Sequence, residues 1–198
     1  FRVGVPSWLE VEVRGPETET EIEGLRAALA VRSLHGSIRL RDVRGPVEAR
    51  TVDGRVVAEE VAGAVVLHSV EGDVRVRGAS GTLRVETVDG DVELREIDVE
   101  RLTATSVDGD VRLAGSVPEG ARYRLTTHDG DIRVTLAEPV HADVVVSTFD
   151  GEFFADFPVT LRRFRGGREM LFTLGEGGAE LVLEAFDGDI ELGRGEGG

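Results

Sequence analysis

One short unit recurs so often along this chain that any fold must accommodate it. TVDGRVVA starts at Thr51, SVEGDVRV at Ser69, TVDGDVEL at Thr87 and SVDGDVRL at Ser106; THDGDIRV follows at Thr127, TFDGEFFA at Thr148 and AFDGDIEL at Ala185. Repetition at a fixed period marks an architecture more than a single active site. The turn glycines Gly36, Gly54, Gly72, Gly90, Gly109, Gly130 and Gly151 are separated by 18, 18, 18, 19, 21 and 21 residues, and Gly45, Gly63 and Gly81 bisect the early intervals. The unit is a nonamer used in pairs.

Within the nonamer the apolar positions are the second, fourth and seventh, as in Val47, Ala49 and Val52 or Leu83, Val85 and Val88. A step of two is strand alternation with one face buried. The step of three to the seventh position requires a bend that returns the chain inward, and the glycine in ninth place supplies a turn. Two extended arms and two bends bring the chain back near its start. Stacking one coil on the next at about 4.8 Å then satisfies the backbone. The prediction is an all-β fold, a flattened parallel β-solenoid of the β-helix or β-roll type, with two facing sheets and about 18 residues per coil. An antiparallel sandwich of hairpins also suits Asp-Gly turns. Hairpins do not require a fixed spacing, so the solenoid is preferred.

The pattern predicts a single domain over residues 1–198. Residues 1–24 read as N-terminal capping strands, with Phe1, Val3, Val5, Trp8 and Leu9 as the apolar lid of the first coil. Residues 25–152 are regular coils, 153–184 an irregular aromatic and basic segment, 185–192 the final coil and 193–198 a flexible tail. The irregular segment holds Phe153, Phe154, Phe157, Phe164 and Phe172 and the basic run Arg162, Arg163, Arg165 and Arg168. A solenoid end is an open sheet edge, so a cap is the first expectation. The second is a partner surface on Phe154, Phe157, Arg163 and Phe164.

The net charge of −15 argues against nucleic acid as a partner and against docking to an anionic membrane through a basic patch. No apolar run approaches the roughly 20 residues of a membrane span, so direct insertion is not expected. Cysteine is absent, which removes disulfides and thiolate metal sites. The chain opens on Phe1, so a removed leader or anchor is expected.

The S/T-V-D/E-G-D-V repeats, together with Gly175-Glu176-Gly177-Gly178 followed by LVLEAFDGDIEL, resemble the bacterial adhesin-like β-strand-repeat family called Toastrack. The resemblance covers essentially the whole chain. It implies an exported or envelope-associated protein, in some members tied to envelope-stress signalling, and it carries no catalytic residues to transfer.

The repeated carboxylates form two columns in a stacked coil, one through Asp89, Asp108 and Asp129 and one through Asp91, Asp110 and Asp131. Solvated turn residues that bond their own backbone are the expected role. Structural calcium on these six is the alternative, although the GGxGxD pattern of calcium-binding β-rolls is missing. Outward arginines, among them Arg41, Arg75 and Arg133, should pair across coils with acids such as Glu59 and Glu93. The hydroxyls Thr51, Ser69, Thr87, Ser106, Thr127 and Thr148 should serve turn hydrogen bonds. His35 and His128 differ in phase, so they should not share a zinc ion. No cofactor is expected. Minimal turns make a water-excluding pocket hard to build, so an enzyme is not expected. The sequence reads as a non-catalytic extracytoplasmic binding, adhesion or scaffold module at the bacterial envelope, with an envelope protein, a glycan or itself as partner. A self-assembling filament subunit is the alternative, followed by a β-helix carbohydrate-active enzyme.

Overall fold

The computed structural model describes residues 3–17, 19–157 and 169–195, and the backbone alone of 161–165. It is a parallel β-solenoid. In chain order the strands are β1 (Val11–Glu17), β2 (Thr20–Glu23), β3 (Leu29–His35), β4 (Ile38–Arg44), β5 (Val47–Arg50), β6 (Val56–His68), β7 (Val74–Glu86), β8 (Val92–Asp108) and β9 (Val111–Gly115). Then come β10 (Arg122–Asp129), β11 (Ile132–Ala137), β12 (Ala142–Asp150), β13 (Phe153–Ala155), β14 (Leu161–Arg165), β15 (Glu169–Leu174), β16 (Ala179–Asp187) and β17 (Ile190–Gly195). Val56 pairs with Val74 and Val74 with Val92, one 18-residue coil apart each time. The 19-residue step is a bulge: Gly81 pairs with Val99 but Thr82 with Arg101, leaving Glu100 over.

The core is built from the second and fourth positions of both arms. Ile38, Val56, Val74, Val92, Val111 and Ile132 form one fully buried column. The fourth positions of the two arms compensate in volume from coil to coil: Leu40 with Ala49, Ala58 with Leu67, Val76 with Val85, Leu94 with Ala104. A thin core keeps constant thickness this way.

The two bends of a coil differ, and this corrects the single rule drawn from the nonamer. At one bend Asp42, Glu60, Gly78 and Glu96 take positive φ (49°, 53°, 68° and 54°). That break in alternation turns the seventh residue inward, and Val43, Val61, Ala79 and Ile97 are buried. At the Asp-Gly bend alternation simply continues. The sixth residue points inward, so Thr51, Ser69, Thr87, Ser106 and Thr127 are at most 3 % exposed. Each hydroxyl donates to the turn glycine carbonyl of the preceding coil, as Ser69 does to Gly54 (3.0 Å) and Thr127 to Gly109 (2.9 Å). The seventh residue then faces solvent.

The N-terminal lid is also corrected. Val3 (79 % exposed), Val5, Trp8 (77 %) and Leu9 lie outside the core, and Val11, Val13 and Ile22 are the residues packed against it. Phe1 lies outside the described residues.

The C-terminal end departs from chain order. β16 pairs in parallel with β10 on one side and β12 on the other, and β17 lies likewise between β11 and β13. The coil read as the last one is inserted between the two that precede it in sequence. Beyond it β15 runs antiparallel on β12, and β14 on β15. Phe172 is buried and lies 5.6 Å from the Phe153 ring, and Phe157 is buried beneath the Arg194 guanidinium (5.0 Å). These aromatics plug the end of the core.

Tyr123, the only tyrosine, stands in the second-position column and is 1 % exposed. Burial pushes its phenol up to about 12 from an ordinary 10.0. Below pH 10 both folded and unfolded chains hold the proton. Above it the unfolded chain ionises first, so stability falls as pH rises from 10 through 12. Near-ultraviolet absorbance should give one tyrosinate transition near 12 in the native protein and near 10 in urea. A native midpoint near 10 would contradict the burial.

Candidate functional site: an exposed apolar ridge on one corner

The outward seventh position at the Asp-Gly bend carries an apolar side chain in almost every coil. Leu34 (53 % exposed), Val52 (40 %), Val88 (42 %), Val107 (44 %), Phe149 (51 %) and Phe186 (48 %) all stand there. Apart from residues 3–9, Phe154 is the one other large hydrophobic this exposed among the described residues. Scattered apolar surface residues are ordinary, but a contiguous file of them is not.

Register fixes the file. The eighth residues bridge coil to coil from His35 through Asp53, Glu71 and Asp89 to Asp108. Asp108 then meets Asp129, Asp129 meets Asp187, and Asp187 meets Asp150. The ridge therefore reads Leu34, Val52, Val70, Val88, Val107, His128, Phe186, Phe149 in space. Its end is aromatic: the His128 and Phe186 rings lie 4.7 Å apart, and Phe186 stacks on Phe149 at 4.7 Å with 6° between planes. That spacing is the strand separation, so the coils themselves set the stack. An open groove of about 430 Å³ runs beside these rings, with Thr105, Thr126, Ser147 and Glu184 on its other wall.

The inner acidic column is spent on structure. Asp91 Oδ1 accepts the Asp110 backbone N–H (3.0 Å), Asp110 Oδ1 that of Asp131 (2.9 Å), and Asp131 Oδ1 that of Asp189 (3.0 Å). Arg112 pairs with both Asp91 and Asp110, and Arg133 with Asp131. Burial alone would push the Asp91 carboxyl up, but the Asp110 N–H and the Arg112 guanidinium hold it below the usual carboxylate range. Asp89, Asp108 and Asp129 point outward beside the ridge. Among the described residues no group of three or more His, Cys, Asp or Glu is arranged to hold a metal ion.

The residues read as a partner surface separate. Phe154 (49 % exposed) sits on β13 by a second open groove with Arg133, Asp156 and Arg194. Phe157 belongs to the buried plug, because its ring fills the end of the core. The side chains of Arg162, Arg163, Phe164 and Arg165 lie outside the described residues, as does Arg168. The ridge itself escapes a sequence reading that turns every seventh residue inward. The available signal was the valine kept beside an Asp-Gly turn, where nothing in the turn requires one.

Neither the curated proteins nor the solved structures returned a match to this chain. The family model described as Toastrack DUF4097 matches residues 28–193, a span that begins one residue before β3 and ends inside β17. The matched region takes in the paired nonamers, the ridge and the inserted coil, and on that match the chain belongs to the Toastrack family.

Proposed function

We propose that this protein is a non-catalytic binding module of the bacterial cell envelope, and that it works by presenting its corner ridge to a partner protein. One observation carries the reading: among the described residues, the exposed large hydrophobics of the coiled region, Phe154 apart, fall in a single file. Stacked aromatics at the end of such a file suit an interface anchor. The envelope location rests on what family membership implies. The two open grooves favour presentation over a carbohydrate-active β-helix, which needs a deep cleft with converging carboxylates.

Site-specific photo-crosslinking in the native cell tests it. A photoreactive residue at Phe186 should give a discrete adduct in the envelope fraction, and one at Arg95, on the flat face, should not. Equal adducts from both positions, or a chain confined to the cytoplasm, would defeat the proposal. The edges of β1 and β2, each paired on one side among the described residues, favour end-to-end self-assembly as a second reading. Sedimentation across concentration separates the two, since a monomer at high concentration removes the filament.

A further inference from the structure

We infer that the ridge takes a basic polypeptide segment, laid along the rod axis with apolar side chains on Val107, His128, Phe186 and Phe149 and Lys or Arg side chains on the acidic column beside them. The inference rests on the ridge being a partner surface and adds the partner's chemistry.

The charge pattern carries it. On the flat faces many of the outward acids have arginine partners, among them Glu59 with Arg41 (2.8 Å), Glu93 with Arg75 (3.2 Å), Glu184 with Arg124 (2.8 Å) and Glu191 with Arg133 (2.9 Å). Along the ridge, apart from Asp53 beside His35 (3.5 Å), they have none among the described residues. The carboxylates of Glu71, Asp89, Asp108, Asp129, Asp187 and Asp150 make no ion pair or side-chain hydrogen bond among the described residues. They are exposed, they repeat once per coil, and no arginine occupies the column. Like charges one strand spacing apart repel, and cations from outside relieve that repulsion. The ridge beside them offers apolar contact at the same repeat. An anionic glycan or an anionic membrane meets the wrong sign here. A purely apolar partner would bury carboxylates without partners, which is costly. A segment with both apolar and cationic side chains satisfies the two columns together, and its affinity should fall with salt.

Three synthetic peptides of equal length serve as probes against the full chain: Leu/Lys, Leu/Glu and oligo-lysine. Binding is read by titration calorimetry. The Leu/Lys peptide should bind, and tighter than either of the others. Phe149→Ser with Phe186→Ser should weaken it at least tenfold, and so should Asp108→Asn with Asp129→Asn and Asp187→Asn. Arg95→Ala on the flat face should leave it unchanged. All the substituted positions are exposed, and circular dichroism melts check that the variants stay folded. Equal binding of Leu/Glu, or no loss in the Asn variant, overturns the cationic partner while leaving the ridge as a partner surface. Equal binding of oligo-lysine, or no loss in the Phe variant, removes the ridge, and the broader reading falls with it. A chain that dimerises through the ridge, and becomes monomeric in the Phe variant, would make a second copy the occupant and also overturn the inference.

Discussion

Removing residues 179–198 should release residues 142–178 from the rod, and adding a peptide of residues 179–195 should restore them. In a solenoid stacked in chain order, loss of the last coil would leave every earlier coil with its neighbours and only fray the tip. Here the lost strands are the joint. β12 meets β16 along its whole length, from Ala142 opposite Ala179 to Asp150 opposite Asp187, and β13 meets β17. The deleted segment also takes Leu181, Val182, Leu183, Ile190 and Leu192 out of the core. At roughly 2 kcal/mol for each buried aliphatic side chain, that is about 10 kcal/mol of burial, comparable with the net stability of a whole domain. What remains of the end is β12 with β15 and β14, a three-stranded antiparallel ribbon with its core face uncovered. Hydrogen exchange checks the outcome. Amides of residues 142–155 should lose protection in the truncated protein while those of 29–113 keep theirs, and the peptide should return protection in trans. Continued protection of 142–155 after truncation would mean the coils are not interleaved.

The interleaving shows where sequence reasoning stops. A nonamer states that its residues form a coil, because apolar residues at the second and fourth positions and a glycine in ninth place are local requirements. It does not state which coils become neighbours. AFDGDIEL satisfies every local rule for a final coil and still lies inside the stack, since parallel pairing on both sides is available to any strand of that pattern. One cue was present. TFDG and AFDG are the repeats with phenylalanine in seventh place, and like residues stack when coils adjoin, as Phe149 and Phe186 do at 4.7 Å. The conformation of the corner is not legible in the sequence for a related reason. Periodicity shows that a bend exists between the fourth and ninth positions but not the backbone conformation that makes it. A positive φ at Glu60 turns Val61 inward. Without that break the hydroxyl of Thr51 takes the inward place and Val52 is left outside. The ridge, and with it the candidate site, follows from the sign of one dihedral angle per coil.

Gly109→Ala tests the column of turn glycines on which the ridge stands. A Cβ at Gly109 would lie 2.3 Å from the Gly90 carbonyl oxygen and 2.7 Å from its carbonyl carbon. Both are backbone atoms, and neither can swing away. Gly90 cannot retreat, because it sits on Gly72 just as closely, with 2.6 Å from its own added Cβ to the Gly72 carbonyl. Positive φ (+146°) adds strain that alanine does not relieve. The coil must lift away from Gly90, which stretches the bond from the Gly90 N–H to the Asp108 carbonyl (2.9 Å) and the donation from Ser106 to the Gly90 carbonyl (3.0 Å). Left-handed strain and overpacking together should cost about 3 kcal/mol, which in a chain of this length lowers Tm by roughly 10 °C. Gly120→Ala separates the two causes. Gly120 also has positive φ (+73°), but nothing lies within 4 Å of its added Cβ, so it should lose about 1 kcal/mol from backbone strain alone. Differential scanning calorimetry of both variants decides the matter. Equal losses would mean that coil stacking imposes no requirement for glycine at the corner. A larger loss at Gly109 would mean that Val88 and His128, on either side of the lifted turn, hold their places in the ridge only because the glycines beneath them let successive coils touch.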